Sequence, residues 1–160
     1  MTQTSVATLT IDCDAPIPEP VRRRLRLANG FDYHEDDQVP SRMRGRISVR
    51  ASHAVDAFLA EGQQGRGQRS GEEVLSDILR RSAPVYGVAA LERLRDEGFI
   101  PVALQRRHLF AWGDLFRMRG HDGLFVPALL WRSAAWHWCK YLYGFENVWN
   151  ASSPAACGIR

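Results

Sequence analysis

Lysine is almost absent from this chain. Of its 21 lysine and arginine residues, only Lys140 is a lysine. The planar guanidinium group of arginine offers five donors that match carboxylate and phosphate groups, but a GC-rich genome also favours arginine codons. The shortage of lysine therefore identifies no partner by itself.

Cysteine is also scarce, and its spacing excludes the common cysteine frameworks. The three cysteines are Cys13, Cys139 and Cys157, which form no CxxC pair and no zinc-finger spacing. Their odd number argues against a set of structural disulfides. We expect free thiols and a reducing, cytoplasmic environment.

The sequence lacks an uninterrupted apolar run of membrane-spanning length. Its longest apolar stretch, residues 124–143, contains Arg132, His137 and Lys140, each of which is costly at the depth of a bilayer. The first residues, MTQTSVATLTIDCD, are polar and alternating and do not have the order of a signal peptide. These features predict a protein without a membrane segment.

Recognisable catalytic and cofactor motifs are missing as well. None of the five histidines lies in an HExxH spacing, and no RNP, zinc-finger or Walker pattern is present. The acidic stretch YHEDD, residues 33–37, lacks the glycine and the spacing of a calcium loop. His137 and Cys139 fall on one predicted helix, where residues two apart point in different directions. We therefore predict no catalytic residue, no metal site and no cofactor.

The composition predicts a folded core. The chain has 160 residues, of which 45% are hydrophobic, and it contains five tryptophans. This length fits one domain, which we predict over residues 1–160. Its expected parts are a mixed strand and helix part (1–61), a flexible loop rich in glycine and glutamine (62–71), and a helical part (72–160).

Alternation of apolar and polar residues predicts two strands in the first third of the chain. One covers residues 7–14, and the other is RMRGRISVR, residues 42–50. We predict a short helix over residues 20–30, a polar loop over residues 31–41 and a helix over residues 52–62. The expected sheet is antiparallel, with two or three strands.

Helical spacing predicts helices for most of the remaining chain. A serine and a glutamate three residues apart form a capping box for a helix over residues 70–82, and a helix over residues 84–98 ends at a glycine. Further helices are predicted over residues 103–119 and 124–143, although residues 100–110 are also compatible with a strand. The predicted fold class is α+β, mostly helical with a small sheet.

Positive charge is concentrated in two blocks of sequence. The net charge is +3, but residues 21–50 carry eight arginines against four acids, and residues 101–160 carry seven basic residues against three acids. The arginines of the predicted strand at 42–50 share one face, which suits a phosphate backbone or an acidic protein surface. Alternatively, these arginines are solvated and partly paired with Asp12 and Asp14.

Aromatic residues accompany the second basic block. Rings beside arginines suit stacking on bases or a protein interface. The alternative is that the rings belong to the core and the arginine stems cover them. From both blocks, the predicted partner-binding residues are Arg22, Arg23, Arg26, Arg42, Arg44, Arg46, Arg50, Arg106, Arg107 and Trp112.

These features favour binding over catalysis. We predict a small cytoplasmic protein, an accessory or inhibitor protein of a bacterium or mobile element, that docks a larger protein or a protein–nucleic acid assembly. Direct recognition of nucleic acid is one alternative. The other is an enzyme whose catalytic groups come from distant positions and therefore leave no local motif.

Overall fold

The computed structural model describes residues 6–30, 32–37 and 39–159. In these ranges there are three α-helices: α1 (Glu19–Arg24), α2 (Gly71–Arg80) and α3 (Val88–Asp96). The strands of the same ranges are β1 (Thr8–Asp12), β2 (Tyr33–Asp36), β3 (Arg46–Arg50), β4 (Asp56–Phe58), β5 (Leu109–Phe110), β6 (Leu115–Met118), β7 (Leu124–Val126), β8 (Ala128–Arg132), β9 (Ala135–Trp138), β10 (Tyr143–Gly144) and β11 (Ala155–Cys157). Short 3-10 helices cover Ala28–Gly30, Ala51–His53 and Val102–Leu104.

The strands form three sheets. β1 pairs with β3, a four-stranded sheet has the order β10-β7-β6-β2, and a five-stranded sheet has the order β4-β11-β5-β8-β9. The chain thus combines helices with extensive sheet structure. The prediction of a mostly helical fold with one small sheet is wrong, and so is the prediction of a helical part over residues 72–160.

The ribbon formed by β1 and β3 was predicted, and its existence is confirmed. The two strands are antiparallel, with Thr8 opposite Arg50 and Asp12 opposite Arg46. Ile11, Ile47 and Val49 face the hydrophobic core, whereas the side chains between them are exposed. This is the period of two that a strand with one buried face requires.

The four-stranded sheet contains a strand where a polar loop was predicted. β2 pairs antiparallel with β6, from Tyr33 opposite Met118 to Asp36 opposite Leu115. Tyr33 is buried while the two residues after it are exposed, and so much charge in a four-residue strand hides its apolar pattern. Phe31 and Gln38, which the loop prediction also included, lie outside the described residues.

Strands of the four-stranded and five-stranded sheets lie where helices were predicted over residues 52–62, 103–119 and 124–143. Residues 109–116 are all buried, and a strand covered on both faces shows a continuous apolar run, which periodicity does not distinguish from a buried helix. The turn at Gly113 brings two chain segments together, because a Cβ there would lie 2.5 Å from the Gly87 nitrogen. Only glycine fits at such a distance.

The helices predicted over residues 70–82 and 84–98 are confirmed as α2 and α3, which are both shorter than predicted. The Ser70 hydroxyl accepts a hydrogen bond from the Glu73 amide, and the Glu73 carboxylate accepts one from the Ser70 amide, which completes the capping box. After α3, the Phe99 amide donates to the Leu94 carbonyl, and Gly98 has a φ of +69°. This is the predicted glycine-based helix end.

The apolar side chains form two clusters. The larger one lies between α3 and the first ribbon, and the smaller one surrounds Trp112 and Trp149. The segment at 62–71 contacts the smaller cluster, since Gln63 is fully buried and donates to the carbonyls of Asn150 and Ser153. No helix in the described part of the chain combines the length and the apolar character needed to cross a membrane.

Candidate functional site

Two of the predicted partner-binding residues lie inside the protein. Trp112 has 0% exposure and belongs to the smaller core cluster. Arg42 precedes β3 rather than lying on it, and it forms an ion pair with the buried Asp114 carboxylate. The Trp112 side chain is enclosed by the core, and the Arg42 side chain is mostly covered and occupied by Asp114.

The predicted arginines of α1 and the segment after it have local partners. Arg23 pairs with Glu19 one turn earlier, at 3.0 Å between Nε and Oε1. Arg26 pairs with Asp32, and Arg22 donates to the Leu27 carbonyl. Two of these three guanidinium groups are paired with a nearby carboxylate, and the third is hydrogen-bonded to a nearby backbone carbonyl.

The ribbon presents the next group of predicted residues. Arg46 and Arg50 are exposed on β3, and Arg44 lies 3.6 Å from Asp14. Asp12 stands directly opposite Arg46. The predicted alternative, partial pairing with Asp12 and Asp14, is therefore supported by the register, and the net charge of this surface is small.

The last two predicted arginines follow the 3-10 helix at Val102–Leu104. Arg106 is exposed, and Arg107 is half-buried with its amide bonded to the Leu104 carbonyl. Neither lines the cleft next to α1.

That cleft has a volume of 660 Å³ and lies where α1 approaches the β8–β9 hairpin and the start of β10. Its floor contains Leu130, Trp138 and Leu142, and the last two are buried. The residues that complete the lining are Arg24, Arg132, Ser133, His137, Cys139, Lys140, Tyr141, Tyr143 and Asn147. We call this the cationic cleft.

The charge of the cationic cleft is of one sign. Arg24, Arg132 and Lys140 are exposed cations, and His137 adds an exposed imidazole. Among the described residues that line it there is no aspartate or glutamate. A concave surface lined by one sign of charge concentrates its field and attracts anions.

Arg24 is held in place by the edge of the five-stranded sheet. Its Nε donates to the Trp138 carbonyl at 3.2 Å, and Arg95 of α3 donates in the same way to the Trp136 carbonyl. β9 pairs with β8 on its other side, so these two carbonyls belong to its unpaired edge. The two arginines thus cover an edge that is otherwise open to another strand.

A tight turn places Arg132 at the rim of the cleft. Arg132 of β8 is opposite Ala135 of β9, so only Ser133 and Ala134 form the loop. Both have positive φ, +51° and +61°, as a type I′ hairpin turn requires. Residues other than glycine and asparagine are strained in this region, and such strain is often found at functional sites.

Two tyrosines give the cleft its aromatic surface. The Tyr141 side chain is 61% exposed, and the Lys140 ammonium lies 5.5 Å from its ring centroid. The Tyr143 ring is half-buried and packs edge-on against Phe110 and at a tilt against Trp149, at centroid distances of 5.0 and 6.4 Å. Tyr143 is therefore a rigid wall, whereas Tyr141 presents its ring to solvent.

His137 and Cys139 both line the cleft, which corrects the prediction based on a helix. In a strand, residues two apart point to the same side, and His137 lies on β9 with Cys139 directly after it. Burial raises the pKa of the Cys139 thiol, against the lowering effects of a hydrogen bond with Tyr143 and of the Arg132 and Arg24 charges. A thiol whose pKa is raised is a poor nucleophile at neutral pH.

The sequence prediction missed most of this site. Arg24 is not among the predicted partner-binding residues, and Arg132, His137, Lys140 and Tyr141 fall in the helix predicted over residues 124–143. The signal available was period-two alternation over residues 135–138, where two exposed residues alternate with two buried tryptophans.

Within the described part of the chain, no three histidine, cysteine, aspartate or glutamate side chains are grouped so that they could hold a metal ion. No known family model, curated protein or solved structure matches this chain. The site is therefore interpreted from its own geometry and charge.

Proposed function

We propose that this chain is a binding protein whose partner is a polyanionic macromolecule, and that the partner docks on the cationic cleft. The observation that carries the proposal is the lining of the cleft, which combines three permanent positive charges with no carboxylate among the described residues. A partner rich in phosphate or carboxylate groups supplies the missing negative charge.

The cationic cleft is a better candidate than the predicted arginine surfaces. The β1–β3 ribbon carries Asp12 and Asp14 beside its arginines, and among the predicted arginines of α1, Arg23 is paired with Glu19. Arg132 and Lys140, in contrast, have no ion pair with any described residue. Charges that are not already compensated within the protein contribute most to attraction of a partner.

Binding also agrees with the chemistry of the cleft better than catalysis does. The thiol in its lining, Cys139, has a raised pKa and is hydrogen-bonded to Tyr143. The lining also contains no carboxylate that could orient His137 as a general base. The narrower statement, that the protein is an accessory or inhibitor protein of a larger assembly, stays a prediction.

Heparin affinity chromatography tests this proposal with a matched pair of variants. One variant combines Arg132→Gln with Lys140→Gln in the cleft, and the other combines Arg46→Gln with Arg50→Gln on the ribbon. Each removes two exposed positive charges, so both have the same net charge. We expect the cleft variant to elute at a clearly lower salt concentration than the native chain, and the ribbon variant to elute close to it.

Two results would contradict the proposal. An equal shift of both variants means that only net charge matters, and a larger shift of the ribbon variant means that the ribbon is the binding surface. Circular dichroism of each variant checks that its secondary structure is unchanged.

A further inference from the structure

We infer that the natural occupant of the cationic cleft is a segment of single-stranded nucleic acid, whose phosphates contact Arg24, Arg132 and Lys140 while an unpaired base stacks on Tyr141. This inference rests on the proposed function and names the class of polyanion. A single strand would contact both the cations of the cleft and its exposed aromatic ring, whereas a polyanion without bases would contact only the cations.

The phosphate contacts come from side chains on different elements around one opening. Arg24 is on α1, Arg132 ends β8 and Lys140 follows β9. All three are exposed. Cations placed around a groove can follow successive phosphates of a strand, and this is the usual arrangement in proteins that bind single strands.

The base contact comes from Tyr141. Its ring is 61% exposed although it stands beside buried Leu142, and it is one of the few large apolar or aromatic side chains at the surface of the described residues. Lys140 lies over the ring at 5.5 Å, so a cation, an aromatic ring and open space occur together. An exposed ring next to cations is the combination on which unpaired bases stack.

A single strand fits this surface better than a duplex or an acidic protein. In a duplex the bases are stacked on one another, so a lone exposed tyrosine finds no base face. An acidic protein segment offers carboxylates to the cations but has no requirement for an exposed ring. The Asn147 side chain, also in the lining, adds an amide that can donate to and accept from a base edge.

Fluorescence anisotropy with four probes of matched length tests the inference. The probes are a labelled oligothymidylate of about 12 nucleotides, an abasic strand with the same number of phosphates, a matching duplex, and polyglutamate. Each is titrated with the native chain and with the variants Tyr141→Ala, Tyr141→Phe and Arg132→Gln/Lys140→Gln, at about 50 and about 200 mM salt.

The expected result separates bases from phosphates. The native chain binds the oligothymidylate roughly tenfold more tightly than the abasic strand, since stacking of one base on an aromatic ring has about this effect. Tyr141→Ala removes that difference without weakening the abasic strand, and Tyr141→Phe keeps it. With three cations engaged, the slope of log binding constant against log salt concentration is about −2 for the native chain. In the double charge variant, where one cation remains, the slope becomes shallower, about −0.7.

The alternative outcomes distinguish the two proposals. Equal binding of oligothymidylate and abasic strand, both weakened by the double charge variant, overturns the single-strand inference and leaves the cleft as a polyanion site. Tightest binding of polyglutamate or of the duplex also overturns it and indicates an acidic protein or a duplex partner. If the double charge variant binds every probe as the native chain does, both the inference and the proposed function are wrong.

Discussion

Arg42 and Asp114 form a mostly buried charged contact that joins four parts of the chain. The Asp114 carboxylate accepts a hydrogen bond from the Val88 amide at the start of α3, and the Arg42 guanidinium also donates to the Cys13 carbonyl. Burial raises the pKa of the Asp114 carboxyl, against the lowering effects of Arg42 and of the Val88 amide. The pair is thus held by its partners in a position where a single charge is unfavourable.

Removing only one of these charges is expected to destabilise the fold strongly. Asp114→Asn keeps the shape of the side chain and its bond to Val88 but leaves the Arg42 charge buried. We expect the free energy of unfolding to fall by about 3 kcal/mol, measured by urea denaturation. The double variant Arg42→Met/Asp114→Asn has no buried charge, so its loss is expected to be smaller than the sum of the two single losses. Additive losses would show that the two side chains do not interact.

The β8–β9 hairpin is the element that shapes the cationic cleft, and its turn is under strain. Ser133 and Ala134 both adopt positive φ, where a Cβ is unfavourable by about 1–2 kcal/mol per residue. Glycine adopts this conformation without that penalty, although it loses more entropy on folding. The turn is therefore a place where a smaller residue stabilises the protein.

Ala134→Gly is expected to raise the free energy of unfolding by about 0.5–1 kcal/mol, measured by urea denaturation. The matched control is Ala135→Gly, one residue later at an exposed position of β9, where φ is not positive and glycine is expected to destabilise by roughly the same amount. Equal destabilisation by the two changes would mean that the turn is not strained.

The same hairpin explains which elements could be predicted from the sequence. The helices α2 and α3 carry their own end signals, a capping box at Ser70 and a glycine at Gly98, and both were predicted. The β8–β9 turn has Ser133 and Ala134 where asparagine and glycine would mark a hairpin. Without that mark, several short apolar strands were interpreted as one buried helix.

The site was hidden by the same ambiguity. On a helix, His137 and Cys139 point in different directions, whereas the strand β9 and the segment after it bring both to one cleft with Arg24. Arg24 lies more than a hundred residues earlier in the chain, and only the sheet edge at Trp138 brings it there. Charge counts along the sequence indicate that basic groups are present but not which of them meet or which are already paired with acids.

At the scale of the whole molecule, buried thiols and phenols determine how stability responds to alkali. Burial is the largest cause that raises the pKa of each of them above the ordinary values of 9.0 for thiols and 10.0 for phenols. These groups are Cys13, Cys139, Cys157, Tyr33, Tyr86 and Tyr143. All six shifts have the same direction, so their effects on stability accumulate rather than cancel.

The sign of the effect follows from proton linkage. Because each pKa is raised by folding, the folded state holds these protons at a pH where the unfolded state has lost them. The resulting stabilisation is fully present below pH 9, the ordinary thiol value, and is lost as the pH rises through the raised values. We therefore expect the free energy of unfolding to decrease progressively above pH 9.

Cys157 provides the sharpest test, since burial in the five-stranded sheet, with Asp56 opposite it as a secondary cause, raises its pKa to about 12. Cys157→Ala should lessen the alkaline loss of unfolding free energy by up to about 1.4 kcal/mol per pH unit, the largest contribution one group can make. Urea denaturation from about pH 8 to about pH 11 measures the slope. Leu94→Ala, a change at a buried position in the cluster that does not contain Cys157, is the control, because it lowers stability without removing a titrating group. A Cys157→Ala slope identical to that of the native chain would mean that the alkaline sensitivity arises from the other buried groups.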